Sequence, residues 1–286
     1  MSAAADLLRL VRFSHSIFAL PFALMAAWLA ADGVPPLERL ALILVCAVAA
    51  RTSAMAFNRW VDRGLDARNP RTATRELPRG AVTPRAALAL AALSGGVFVG
   101  AAFALGAWCG WLSLPVLALL LGYSVAKRFT WACHLWLGVC LALAPLGAWT
   151  AVLGSPSGDL AVPLLLAAAV VTWVAGFDLV YASQDAAFDR AAGLHSLPAR
   201  FGVARALSVS AWLHVATVVC LAAFGARAGL GLGYWCALAG ASALLVWQHR
   251  IVRPGDLSRA DAAFFTANGW VGVALLAGLL VDVSLR

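Results

Sequence analysis

Nine apolar runs, each close to the length of a bilayer-spanning helix, constrain this chain more than any other feature. A membrane's hydrocarbon core is about 30 Å thick, and a helix crosses it in about 20 residues. Runs of that size fall at about 14–31, 38–58, 85–106, 109–126, 131–152, 160–184, 203–225, 229–249 and 262–282. Turn-forming clusters separate them, such as Asp32-Gly33-Val34-Pro35-Pro36 and Gly154-Ser155-Pro156-Ser157-Gly158, while Gly106 and Gly110 mark the faintest break. With 63% hydrophobic and 12% charged residues, the chain lacks the polar surface a soluble domain of 286 residues needs. The expectation is an all-α integral membrane protein with nine transmembrane helices in a bundle around a central cavity, one domain over 1–286. The first run has Arg9 and Arg12 before it and Pro21 inside it, with no small-x-small cleavage site, so it reads as a retained helix.

The six cysteines lie mostly within apolar runs and form no CxxC pair, which suits small packing residues rather than metal or disulfide chemistry. The net charge of +8 comes with a topological pattern. If the N-terminus is cytoplasmic, seventeen of the 21 Lys and Arg residues face the cytoplasm; Arg39, Arg227 and Arg286 face away and Arg51 lies within the second run. That asymmetry is what the positive-inside rule expects, and gaining or losing one helix midway would scramble it. Basicity therefore reads as orientation in a multi-pass cytoplasmic (inner) membrane protein and not as a nucleic-acid surface. The sequence points to no protein partner.

Acidic residues are few, and two groups of them end apolar runs on the cytoplasmic side. Asn58, Asp62 and Asp66 are spaced i, i+4, i+8 and would share a face of a continued helix. A single DxxxD is ordinarily a solvated helix end. Arg51, seven residues before Asn58, argues otherwise, because a charge inside a membrane helix costs about 2.5–3.5 kcal/mol on insertion scales and marks an interior polar cavity. Asp178, Tyr181, Gln184, Asp185 and Asp189 form a second stripe at spacings of a helix, and Asp178 lies too deep in its run to face lipid. Carboxylate clusters suit hard divalent cations, and Mg²⁺ completes its shell with water and substrate phosphate. Lys127, Arg128 and the arginine-rich loop after Asp66 would balance further phosphate charge.

In these residues the chain resembles the UbiA-type intramembrane aromatic prenyltransferases. Asn58-Arg59-Trp60-Val61-Asp62-Arg63-Gly64-Leu65-Asp66 stands where that family has NDxxDxxxD, and Asn69 to Gly80 is similar to its RTxxRPLPxG loop. Phe177 to Asp189 resembles YDxxYAxxDxxxD, and Tyr123 to Thr130 matches a YxxxKRxT element. Arg59 replaces the usual aspartate, Ala186-Ala187-Phe188 thins the second motif's acidity, and His195 stands where relatives often have lysine. These departures, with the His15 to Phe22 opening, resemble a branch linked to the futalosine route to menaquinone.

The resemblance implies a Mg²⁺-dependent transfer of a polyprenyl group from a polyprenyl diphosphate to an aromatic acid, 4-hydroxybenzoate or a dihydroxynaphthoate, in quinone biosynthesis. It implies that Asp62, Asp66, Asp178 and Asp185 hold the metal, supported by Asn58 and Asp189. Lys127, Arg128, Arg71 and Arg75 become diphosphate partners, and Arg51 a partner for the acceptor carboxylate. Asp178 or Asp185 would orient or deprotonate the ring, and Tyr181 belongs to the substrate site. Trp60 and Trp173 are candidate prenyl contacts. His15 lines the acceptor pocket or ends a helix, while His134, His214 and His249 read as structural or interfacial. From another class, an ion- or proton-coupled transporter also uses intramembrane carboxylates.

Overall fold

A computed structural model describes Leu7, Leu10 and residues 18–285; Arg9, Arg12, His15, Arg286 and the opening of the first apolar run lie outside them. The described residues form helices, with one isolated β-bridge between Arg253 and Asp256. They belong to two compact units, Met1–Ser16 with Glu38–Val125 and Ile17–Leu37 with Ala126–Arg286.

α1 is Leu20–Ala30, with Pro21 in its first turn, where the missing N–H costs no helical bond. The first run therefore contributes 11 described helical residues, with Pro21 in the first turn. Seven helices among the described residues are long and apolar enough to cross a membrane. α10, Leu232–Ile251, has 20 residues but carries Gln248-His249-Arg250 in its last turn, and it is not among those seven.

In the first unit, α2 (Leu37–Arg68) runs ten residues past the expected end of its apolar stretch. At 1.5 Å per residue its 32 residues span about 48 Å, more than the hydrocarbon core, so its final turns carry the polar motif out of the apolar zone. α3 (Pro84–Leu105) begins at Thr83, whose hydroxyl caps the Ala86 N–H at 3.1 Å. Gly106, at φ 137°, is a one-residue break before α4 (Ala107–Ala126). Ser53 Oγ donates to the Ala91 carbonyl at 2.8 Å, joining α2 to α3. Leu77 and Val82, from the loop between those helices, bury against Ala56, Ala87 and Ala91, so the arginine-rich loop is fastened by its apolar residues.

The second unit adds α5 (Cys133–Leu153) and α6 (Ala161–Ala182), followed by a tighter 3-10 turn at Ser183–Asp185. Then come α7 (Ala186–Ala191), α8 (Leu197–Phe201) and α9 (Val203–Arg227). After α10, the chain passes through Ala260–Ala262 and a π-helical turn, Ala263–Ala267, into α11 (Asn268–Ser284). α5 and α6 touch closely at Gly138, where any Cβ would overlap the Val171 carbonyl. Gly176 likewise makes room for the ring of His214.

A buried polar chain ties these helices together. Trp173 Nε1 donates to Asn268 Oδ1 (2.8 Å), Asn268 Nδ2 to Gln248 Oε1 (3.1 Å), and Gln248 Nε2 to His214 Nδ1 (2.8 Å). His214 Nε2 donates to the Trp173 carbonyl at 3.3 Å, which makes its Nδ1 the acceptor. His249 Nε2 also lies 2.7 Å from that Nδ1. Asn268 donates besides to the carbonyls of Ala263 and Phe264, which lie in the π turn. Apolar surroundings make each of these bonds costly to lose.

Candidate active site

The last two turns of α2 and the loop behind them form the first acidic segment. Asn58 Nδ2 donates to Asp62 Oδ2 at 3.2 Å, as their i, i+4 spacing requires, and both residues are half-buried. Asp66 differs. At 3.6 residues per turn, eight residues rotate the side chain by about 80° from Asn58, and Asp66 is buried where Asn58 and Asp62 are not. Its Oδ1 lies 2.7 Å from Arg75 Nη1, and its Oδ2 lies 3.9 Å from Arg59 Nη1, two turns back on the same face of the helix. Arg59, noted in the sequence only as a departure, is 6% exposed and acts as an internal counter-charge.

The backbone around Asp66 is equally fixed. Thr72 Oγ1 donates to the Asp66 carbonyl at 3.0 Å, and Asn69 Oδ1 accepts the Arg71 N–H at 3.0 Å. These bonds turn the chain back on itself after α2 and bring Arg75 to Asp66. Arg71 is exposed, and Arg51 is half-buried midway along α2. Trp60 is occupied by Arg63, whose guanidinium stacks 5.0 Å from the ring centre.

The second acidic segment follows α6. Asp178, Asp185 and Asp189 are all buried. The 3-10 turn tightens the winding between Asp178 and Asp189, and the residues of the stripe meet different partners. Tyr181 packs on Phe264 at 4.5 Å between ring centres, and Gln184 Nε2 donates to Asp261 Oδ1 at 3.3 Å, both toward the segment before α11. Asp189 Oδ2 lies instead 3.5 Å from Lys127 Nζ. Lys127 is held from behind by its own carbonyl, which accepts the His195 N–H at 2.6 Å. Burial works against the Lys127 ammonium, but Asp189, Asp178 and Asp185 outweigh it and leave its pKa raised. Arg128, its neighbour, is exposed.

One partner was not legible as functional. His134 Nδ1 lies 2.6 Å from Asp178 Oδ2, and both side chains are almost wholly enclosed. The residues are 44 apart, with no motif linking them, and only the antiparallel crossing of α5 and α6 brings them together. His214 and His249 keep the structural reading, within the buried network.

Oxygen donors make up both segments, and among the described residues neither a cysteine pair nor a His-rich cluster lies beside them. No three His, Cys, Asp or Glu residues converge closely enough among the described residues to hold a metal by themselves. That donor chemistry fits Mg²⁺, which takes one or two carboxylates and fills its shell with water and phosphate oxygens, and does not fit Zn²⁺.

The fold is that of a helical, multi-pass membrane protein, and each of its two carboxylate segments holds a basic side chain. The chain belongs to the UbiA prenyltransferase family, whose model it matches over residues 19–270. It is 34% identical over 260 residues to the 4-hydroxybenzoate octaprenyltransferase of Aromatoleum aromaticum, covering 91% of this chain and 86% of that protein. The Pseudomonas aeruginosa protein of the same name is 32% identical over 286 residues, 99% of this chain and 95% of that one. Among solved structures, the apo UbiA homolog of Aeropyrum pernix superposes with a TM-score of 0.85 at 35% identity, covering 94% of this chain and 98% of that one. An Archaeoglobus fulgidus UbiA homolog bound to GPP and Mg²⁺ shares the fold at a TM-score of 0.75 and 22% identity, covering 98% and 99% of the two chains.

Proposed function

We propose that this protein transfers a polyprenyl group from a polyprenyl diphosphate to an aromatic acid, 4-hydroxybenzoate or a dihydroxynaphthoate, in quinone biosynthesis, releasing pyrophosphate. One observation carries the reading: two acidic segments each hold a basic partner, Arg75 at Asp66 and Lys127 at Asp189. They do so in a chain alike over nine-tenths of its length to proteins named for 4-hydroxybenzoate prenylation. Membership of a prenyltransferase family leaves the transporter reading without an observation in its favour.

In this reading Asp62, Asp66, Asp178 and Asp185 hold Mg²⁺, with Asn58 and Asp189 in support. The bound ion would supply Lewis-acid neutralisation of the diphosphate as it leaves. Lys127, Arg128, Arg71 and Arg75 take the remaining negative charge through charge-assisted hydrogen bonds, which strengthen as the carbon–oxygen bond breaks. The allylic cation is then attacked by the ring carbon ortho to a hydroxyl, and the ring loses its proton there. Asp178 or Asp185 orients the acceptor or accepts that proton, with Tyr181 beside it in the substrate site. Arg51, half-buried midway along α2, pairs with the acceptor's carboxylate.

The prenyl tail is apolar and belongs among helices, which accounts for an enzyme embedded in the bilayer. Charge asymmetry supports nine spans with the N-terminus inside and the site facing the cytoplasm. This reading keeps a single prenyltransferase domain over residues 1–286. Purified protein given Mg²⁺, a polyprenyl diphosphate and either acceptor should release pyrophosphate and form a prenylated aromatic acid. Absence of both products with every acceptor tried would overturn the reading.

A further inference from the structure

We propose that His134 is a positioning residue for Asp178, holding one carboxylate oxygen so that the other is presented to the cation and diphosphate. This inference rests on the prenyl-transfer reading and gives one side chain of that site a definite job.

Close helix packing brings the two side chains together. Gly138 lets α5 and α6 meet at backbone contact beside Val171. His134 lies one turn from that contact and Asp178 two turns from it, at the same end of the antiparallel pair. Their side chains meet at 2.6 Å, with the histidine side chain 3% exposed and the aspartate 12%. A carboxylate can only accept, so Nδ1 carries the shared hydrogen. Nε2 in turn accepts the Leu197 N–H at 3.4 Å, at the start of α8, which fixes the plane of the ring. Asp178 Oδ2 is therefore occupied from a direction set by two helices. Asp178 Oδ1 makes no hydrogen bond to a described residue.

A carboxylate in such a site can otherwise turn about its last torsion and offer either oxygen. Groups that hydrogen-bond a metal-binding side chain from behind remove that freedom, and losing one typically costs 10–100-fold in metal affinity or activity. His134 has the burial, geometry and anchored second nitrogen of such a group. Lys127 does not substitute for it, since that ammonium lies against Asp189.

The test uses full-length protein in detergent with Mn²⁺ as a spectroscopic probe of the cation, titrated in the presence of geranyl diphosphate, and turnover measured in parallel. His134→Asn keeps a donor close to the Nδ1 position, His134→Gln moves it outward, and His134→Leu removes it. His134→Leu and His134→Gln should weaken Mn²⁺ binding and lower kcat by about 10–100-fold, while His134→Asn stays near wild type. Equal Mn²⁺ binding by wild type and His134→Leu overturns the proposal. If His134→Leu fails to fold, His134→Asn and His134→Gln decide, and equal behaviour of those two overturns it. Mn²⁺ binding that depends on His134 in a protein that prenylates no acceptor would contradict the reaction and uphold the positioning role.

Discussion

Arg75 Nη1 lies 2.7 Å from Asp66 Oδ1, and that ion pair closes the arginine-rich loop onto the end of α2. Asp66 is buried and also faces Arg59, so two guanidiniums serve one carboxylate. Arg75→Ala should cost about 1–3 kcal/mol, because Asp66 loses its shortest partner while Arg59 continues to offset part of the buried charge. The expected outcome is a lower unfolding midpoint and faster proteolysis within residues 69–82. Arg75→Lys should recover part of both. An unchanged cleavage rate in Arg75→Ala would show that Leu77 and Val82 alone hold the loop.

Asp62→Ala and Asp185→Ala should each abolish turnover, by at least about 10²-fold, while the protein still inserts and keeps its helical circular dichroism. Retained turnover in either variant removes that residue from the metal site. Asp66→Ala should behave differently, losing stability along with activity, since Asp66 also anchors the loop.

The Lys127–Asp189 pair makes a prediction about pH. A lysine whose folded pKa is raised contributes its favourable interaction fully below its unfolded value, about 10.4, and loses it only as pH rises through the folded value. Between pH 6 and 9 the pair should therefore be constant, and Lys127 should leave no inflection in kcat/KM. Lys127→Met should raise KM for the prenyl diphosphate more than KM for the acceptor. Equal effects on both would place Lys127 away from the diphosphate.

Asn268→Leu tests the buried network separately. It strands Trp173 Nε1 and Gln248 Oε1 and uncovers the carbonyls of the π turn. Intramembrane hydrogen bonds are each worth about 0.6–2 kcal/mol, so a fall in unfolding midpoint is expected with little change in Mn²⁺ affinity. A large loss of cation binding would couple this network to the acidic segments.

Much of the architecture was legible because hydropathy and punctuation act locally. The limits of α3, α4 and α9 fall within about two residues of the apolar runs, the usual uncertainty of a helix end. α2 was underestimated because its last ten residues are polar yet helical, stabilised by Asn58–Asp62 and by Asp66 with its guanidiniums rather than by lipid. The described part of α1 starts at Leu20 with Pro21 in its first turn, and the opening of its apolar run lies outside the described residues. The acidic motifs could be found by spacing alone. Their partners could not, since Asp178 and His134 are joined by a helix crossing and Asp66 and Arg75 by a turn. Gln184 turns toward Asp261 because it lies in the 3-10 turn, where the helical periodicity changes.

The most direct measurement is prenyl transfer itself: purified protein with Mg²⁺, a polyprenyl diphosphate, and 4-hydroxybenzoate or dihydroxynaphthoate in parallel, following pyrophosphate and the aromatic product. The expected result is stoichiometric pyrophosphate and a ring-prenylated acid with one of the two acceptors, both lost on chelation of Mg²⁺. Pyrophosphate release without any prenylated aromatic, or no reaction with either acceptor, would contradict it.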